Sequence, residues 1–174
     1  MVNRSNVLVG VIWEMNRRGM IVDISHLNET GFWDVMEITK DPVLATHSNC
    51  KALCSHHRNL TDDQIKALAE TGGGINLSFC GGFIKDGVGF DPEAVKKVTI
   101  EDWLDHLDHA VELVGADHVG IGSDLDGGCG FPGLDDVTHF PSLTEGMVSR
   151  GYSDQDIEKI LGANDLRVFK QVLK

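Results

Sequence analysis

Four short apolar, β-branched runs alternate with helical stretches along this chain, and that alternation decides the fold class. The runs are Met20 to Ser25, Val43 to Thr46, Gly74 to Phe79 and Val119 to Ser123. Each reads as a buried strand, because too few polar residues interrupt it for one face to meet water. Between them lie segments of helical period with start and stop signals. Val7 to Arg18 ends at Gly19; Asn28 or Thr30 caps a segment that runs to Thr39, and Asp41-Pro42 stops it. Thr61 opens a helix with acids in its first turn, and Thr99 to Val114 forms a long one with Ile100, Trp103, Leu104, Leu107 and Val111 apolar. Leu143 to Ser149, Asp154 to Leu161 and Asn164 to Leu173 close the chain with helices. Buried strands separated by helices pair in parallel. The pattern predicts one α/β domain over residues 1–174, with about four parallel βα units. Either an open doubly wound sheet or part of a (β/α)8 barrel fits. No GxGxxG loop follows the first strand, which counts against a dinucleotide fold.

Charge and hydropathy narrow the partners. A formal net charge of −12 argues against nucleic acid, since phosphate binding needs a basic footprint. No run of about 18 apolar residues occurs, so no membrane segment is expected. The N-terminal apolar stretch, Val7 to Trp13, is short and is followed by Glu14 and two arginines. With no small-residue cleavage site before them it does not read as a signal peptide. A cytoplasmic chain with Cys50, Cys54, Cys80 and Cys129 as free thiols is expected. Cys50 and Cys54 with His56 and His57 match no common structural zinc spacing, so packed or surface thiols are the better reading.

Polar residues recur at one place. His26, His47 and Asp124 each follow the C-terminal end of an expected strand, the edge where active sites of parallel α/β folds form. His26 and His47 are one βα unit apart and should face the same mouth. Neutral imidazoles so placed suit zinc or a similar ion, and a pair of hydrogen-bonded loop histidines is the alternative. Asp124 and Asp126 lie in SDLDGG, where a carboxylate can ligate metal or move a proton, or simply form an Asx turn before glycine. Asp124 is the nearer to the strand end. Arg58, in the loop after His47, can hold a carboxylate bidentately or be a solvated loop residue. His106, His109, His118 and His139 read as surface residues, and His56 and His57 as loop residues without an assigned role.

The segments GMIVDISH, DPVLATHSNCKALCSHHRNLTDDQIKALAETGG, DHLDHAVELVGADHVGIGSDLDGG and GANDLRVF resemble the membrane (renal) dipeptidase family of zinc metallopeptidases. The likeness runs from about Glu14 to Phe169, with several motifs in order. It implies the C-terminal half of a (β/α)8 TIM barrel, dipeptide substrates and metal-assisted hydrolysis with two zinc ions per complete site. By resemblance His26 and His47 bind one zinc, Arg58 holds the substrate's C-terminal carboxylate, and Asp124 is catalytic, moving a proton near the substrate's amino group. The family's His-x-Asp pair, bridging glutamate and further substrate-binding histidine have no counterpart here. The expectation is an incomplete metal site that, in the isolated chain, binds zinc weakly and hydrolyses dipeptides slowly or not at all. A half-barrel should also expose an apolar inner face and two strand edges, to be covered by a second copy or by an N-terminal half. A non-catalytic half-barrel acting as an assembly partner is the alternative, and an amidohydrolase-like enzyme for lactones or cyclic amides ranks third.

Overall fold

The computed structural model describes residues 6–174. Residues 1–5, part of the stretch weighed above as a leader, lie outside the described residues. Helix α1 (Asn6–Arg18) leads into strand β1 (Val22–Asp23), and α2 (Glu29–Ile38) carries the chain to β2 (Val43–Ala45). Helix α3 (Asp62–Glu70) precedes β3 (Gly74–Ser78); two short helices, α4 (Gly81–Ile84) and α5 (Pro92–Val95), then lead to the long α6 (Ile100–Val114) and β4 (Val119–Ser123). Helices α7 (Pro141–Ser149), α8 (Asp154–Glu158) and α9 (Asn164–Val172) follow. The strands form one parallel sheet in the order β1-β2-β3-β4. Among the described residues no helix is long and apolar enough to cross a membrane.

The strand register sorts the side chains onto two faces. Val22 pairs with Val43, Ala45 with Ile75, Ile75 with Val119, and Leu77 with Ile121. All of these residues belong to the main apolar core or pack against it. The core's largest fully buried side chains include Trp103, Phe32, Phe79 and Phe131. The other face carries Asp23, Leu44, Asn76, Ser78 and Gly120 by the same alternation. This corrects the expectation of an apolar inner face: most of its strand residues are polar or small. There Leu44 and Ile21 pack with Val168 and Val172 of α9, and Asn76 Nδ2 donates to both carboxylate oxygens of Asp165 at 3.0 and 3.1 Å. Polar side chains on this face suit a lumen that binds a polar ligand better than one that packs shut. At Gly122 a Cβ would run into the carbonyl oxygens of Thr46 and Asn76, so glycine lets β4 close up beside the strand ends that bear the candidate site.

Local signals explain where the helices start. Asn28 caps α2 by accepting from Gly31 N at 2.8 Å. Thr61 and Gln64 form a reciprocal capping box on α3: Thr61 Oγ1 accepts from Gln64 N at 3.3 Å, and Gln64 Oε1 accepts from Thr61 N at 2.9 Å. That helix buries Ile65 and Leu68. Thr61→Ala is expected to lower stability by about 1 kcal/mol, measured by urea unfolding; an unchanged midpoint would show that packing alone sets this helix start.

Candidate metal and substrate site

All four sequence-selected residues stand at the C-terminal end of the sheet. His26 follows β1, His47 follows β2, Arg58 lies in the loop before α3, and Asp124 directly follows β4. His26 and Asp124 hold positive φ angles of 77° and 69°, and Ser123 is at 35°. Left-handed backbone is costly for residues with a Cβ and collects at functional positions. Here it turns the chain sharply at two strand ends, setting His26 against His47 and Asp124 against Cys129.

The two imidazoles converge. His26 Nε2 and His47 Nε2 are 2.9 Å apart, with ring centroids at 4.9 Å. His47 Nδ1 lies 2.8 Å from Thr46 Oγ1, which donates to Asp23 Oδ2 at 2.7 Å. Burial, then the Arg58 cation and the His47 ring, pull His26 below the ordinary imidazole value, while Asp124 and Asp23 act in the opposite sense. Arg58 and Asp124 are therefore electrostatic neighbours of the histidine pair.

Arg58 is held in an unusual way. Its Nε and Nη2 are buried with no hydrogen-bond partner among the described residues. Its guanidinium carbon sits 5.2 Å from the centre of the Phe83 ring. With His26, Asn28, Ser48, Lys51 and His57 it lines a cavity of about 450 Å³, which is of ordinary size for a small-molecule site. A planar donor fork left unpaired beside a cavity is matched by a carboxylate. On the far side, Cys129 Sγ donates to Asp124 Oδ2 at 3.3 Å. Hydrogen bonding with buried Cys80, burial and the Asp124 carboxylate push the Cys129 thiol up.

The donor set fits a metal in part. A tetrahedral zinc with bonds of about 2.0–2.1 Å separates two ligand nitrogens by about 3.3 Å, so the imidazole pair needs to open only slightly to share one ion. Among the described residues no group of three or more His, Cys, Asp or Glu is placed to hold a metal. The chain thus supplies two imidazoles, and a catalytic zinc uses three protein ligands.

Residues 9–174 match the family model described as membrane dipeptidase, peptidase family M19. The chain belongs to the membrane dipeptidase family. Dipeptidase tcpJ of Claviceps purpurea is 39% identical over 163 residues, a stretch covering 93% of this chain and 37% of the fungal protein. A crystal structure of dipeptidase AC, a family M19 metallopeptidase, superposes with a TM-score of 0.88 at 35% identity, over 94% of this chain and 47% of that one. A Rhodobacter sphaeroides metallopeptidase liganded with a phosphinate mimic of the dipeptide L-Ala-D-Ala superposes at 0.86, also at 35% identity, covering 94% and 46%. The expected fold is borne out: the four parallel strands and their helices overlay about half of each of these two solved chains. This dipeptidase-family chain spans 37% of the fungal relative's length.

One sequence reading is overturned. His106 is not a surface residue: it is buried on α6 beside Trp103, Leu107 and Ala110. Its Nδ1 accepts from Cys50 N at 3.1 Å and its Nε2 lies 2.9 Å from Ile84 O. The spacing Trp103, His106, Leu107, Ala110 is the i, i+3, i+4, i+7 pattern of a buried face, and that signal could have found it. His109 and His118 are half-buried, bonded to Asp62 Oδ1 at 2.8 Å and Gly73 O at 2.7 Å. The Cys50 and Cys54 thiols donate to the carbonyls of His106 and Gly82, each at 3.5 Å, so this dipeptidase-family chain uses both as packed thiols. Sequence reasoning missed Asp23, Thr46, Cys80 and Cys129 beside the site.

Proposed function

We propose that this chain carries the C-terminal share of a zinc-dependent dipeptidase site. His26 and His47 hold one zinc, Arg58 binds the C-terminal carboxylate of a dipeptide, and Asp124 is the catalytic carboxylate. The observation that carries the reading is the convergence of two imidazole Nε2 atoms at 2.9 Å beside a guanidinium whose Nε and Nη2 are buried and unpaired among the described residues. Zinc bound there supplies a Lewis acid for the scissile carbonyl and makes bound water acidic enough to react near neutral pH. The chain's residues do the rest. Arg58 fixes the carboxylate through its planar fork and so sets the distance from the substrate's C-terminus to the peptide bond. Asp124, directly after β4 and near His26, takes a proton and returns it to the leaving amine.

Two imidazoles make a weak zinc site, so the isolated chain should load zinc in titration, lose it on dialysis and hydrolyse dipeptides slowly or not at all. Zinc titration with elemental analysis after dialysis tests this. His47→Ala should abolish the titration signal. Zinc retained through dialysis together with full dipeptidase turnover would refute the incomplete-site reading. A titration indifferent to both histidines would refute the metal reading itself.

The assembly reading has its own support. Strands β1 and β4 are the sheet's edges, and Trp13, Val148, Leu161 and Leu166 are exposed. A second copy or an N-terminal half covering these edges accounts for both features, and solution mass with and without that half tests it. The four free thiols suit a reducing compartment, which favours the cytoplasm.

A further inference from the structure

Asp23 is out of place by propensity. Aspartate is a poor strand former, yet it occupies β1 beside Val22. Its two oxygens accept from its own strand end and from the neighbouring one. Oδ1 accepts from Ser25 N at 3.0 Å and Thr46 N at 3.1 Å. Oδ2 accepts from Thr46 Oγ1 at 2.7 Å. Thr46 Oγ1 in turn lies 2.8 Å from His47 Nδ1. The ring is also anchored through its backbone, since His47 N donates to Ser25 Oγ at 3.0 Å.

Counting protons along this line leaves one solution. A carboxylate only accepts, and a threonine hydroxyl has one proton to give. The short contact with Asp23 uses that proton. The Thr46–His47 contact then has only one possible donor, the Nδ1–H of the ring. A neutral imidazole protonated at Nδ1 carries its lone pair on Nε2. That is the atom turned toward His26, so in the metal-free chain His26 Nε2–H donates across the 2.9 Å contact.

We propose that Asp23, acting through the Thr46 hydroxyl, fixes the tautomer of His47 and so keeps its Nε2 lone pair free for a ligand. Asp23 and Thr46 are positioning residues, since both act through His47. The purpose assigned to the relay rests on the metal-ligand reading of His47, but the tautomer itself can be read without any metal. Histidines that ligate metals commonly donate their second N–H to a carboxylate or carbonyl, directly or through an intermediary, and loss of that partner weakens metal binding by about 10–100-fold.

Asp23→Asn makes the sharpest test. The two backbone N–H groups of Ser25 and Thr46 still require an acceptor, so the amide oxygen stays on them and the NH2 turns to Thr46 Oγ1. The threonine hydroxyl must then donate to His47 Nδ1, and the ring proton moves to Nε2. The imidazole 15N resonances of the metal-free chain at pH 7.5 report this directly. Wild type should show His47 protonated at Nδ1, Asp23→Asn should show it protonated at Nε2, and Zn2+ titration should weaken by about 10–100-fold. Thr46→Ser, which keeps the hydroxyl, should retain the wild-type tautomer and zinc affinity, and Thr46→Val should lose both. These two variants carry the test if Asp23→Asn does not fold. Wild-type His47 protonated at Nε2, or a tautomer unmoved in both Asp23→Asn and Thr46→Val, would overturn the relay. A flipped tautomer with unchanged zinc affinity would overturn its purpose. A wild-type chain with the Nδ1–H tautomer that takes up no zinc supports the relay and sinks the metal reading, so the two failures are separable.

Discussion

Replacing Arg58 by Met is expected to raise the stability of this chain by about 1 kcal/mol, the cost of its unpaired donors less the attraction it loses to Phe83. Burying a polar group without a partner costs about 1–3 kcal/mol, and the guanidinium of Arg58 leaves Nε and Nη2 buried and unpaired among the described residues. What offsets it is contact with the Phe83 ring, at 5.2 Å from the ring centre, a cation–π attraction of about 0.5–2 kcal/mol. A methionine keeps most of the length and flexibility, places a thioether against the same ring, and buries no donor. Urea unfolding at neutral pH measures the change. A drop in stability would mean that the guanidinium is a structural pin and would remove the main support for its role with substrate. Arg58→Lys separates charge from shape: it keeps a cation in the same place but lacks the planar fork, so it should gain no stability and should lose carboxylate affinity. An arginine kept at a cost to the fold makes sense if a ligand's carboxylate supplies the missing bonds.

The sequence made the scaffold legible because its signals are local. Asn28, Thr61 and Thr99 cap the helices that their positions suggest, and the edges of β4 fall where the apolar run ends. Helices α4 and α5 span four residues each, too short to show a period in the sequence. Strand β1 shrank to Val22 and Asp23 because it is an edge strand with a partner on one side only. The site was legible as far as chemistry sits at strand ends: His26, His47 and Asp124 could be chosen by position alone. The support behind them was not. Asp23 looked like a stray acid in an apolar run, and its partner Thr46 lies 23 residues away. Nothing periodic links two such residues. Their contact exists because parallel pairing sets β1 beside β2 and sends both side chains to the same face. His106 failed for the opposite reason: its helical spacing was visible, but its residue type suggested solvent.

Acidification is expected to destabilise the fold, with most of the loss above pH 5 traceable to His106. The ring accepts at Nδ1 from the Cys50 amide and donates at Nε2 to the Ile84 carbonyl, so a second proton would set one N–H against another. Burial is the largest influence on this ring and lowers its proton affinity in the folded chain below the ordinary value of 6.5. The sign follows. Below 6.5 the unfolded chain takes up a proton that the folded chain refuses, so the stabilisation is complete above that pH and is lost as pH falls toward the folded value. Each unit over which the buried ring stays neutral costs about 1.4 kcal/mol. His26 and His56 are shifted in the same direction, chiefly by burial, but both are more exposed, and the effect is screened there. The carboxylates held low by their partners, Asp86 and Asp102 among them, act only near and below pH 4, in a separate window. Urea unfolding at pH 7.5, 6.0 and 5.0 reads the slope, and His106→Gln should flatten it, since an amide can serve the same acceptor and donor without titrating. An equally steep slope in that variant would place the proton uptake elsewhere. The effect reaches the site because His106 ties Cys50 to the end of α4. Those two points flank the loop that carries Arg58, so amides 50–59 should lose exchange protection first as pH falls.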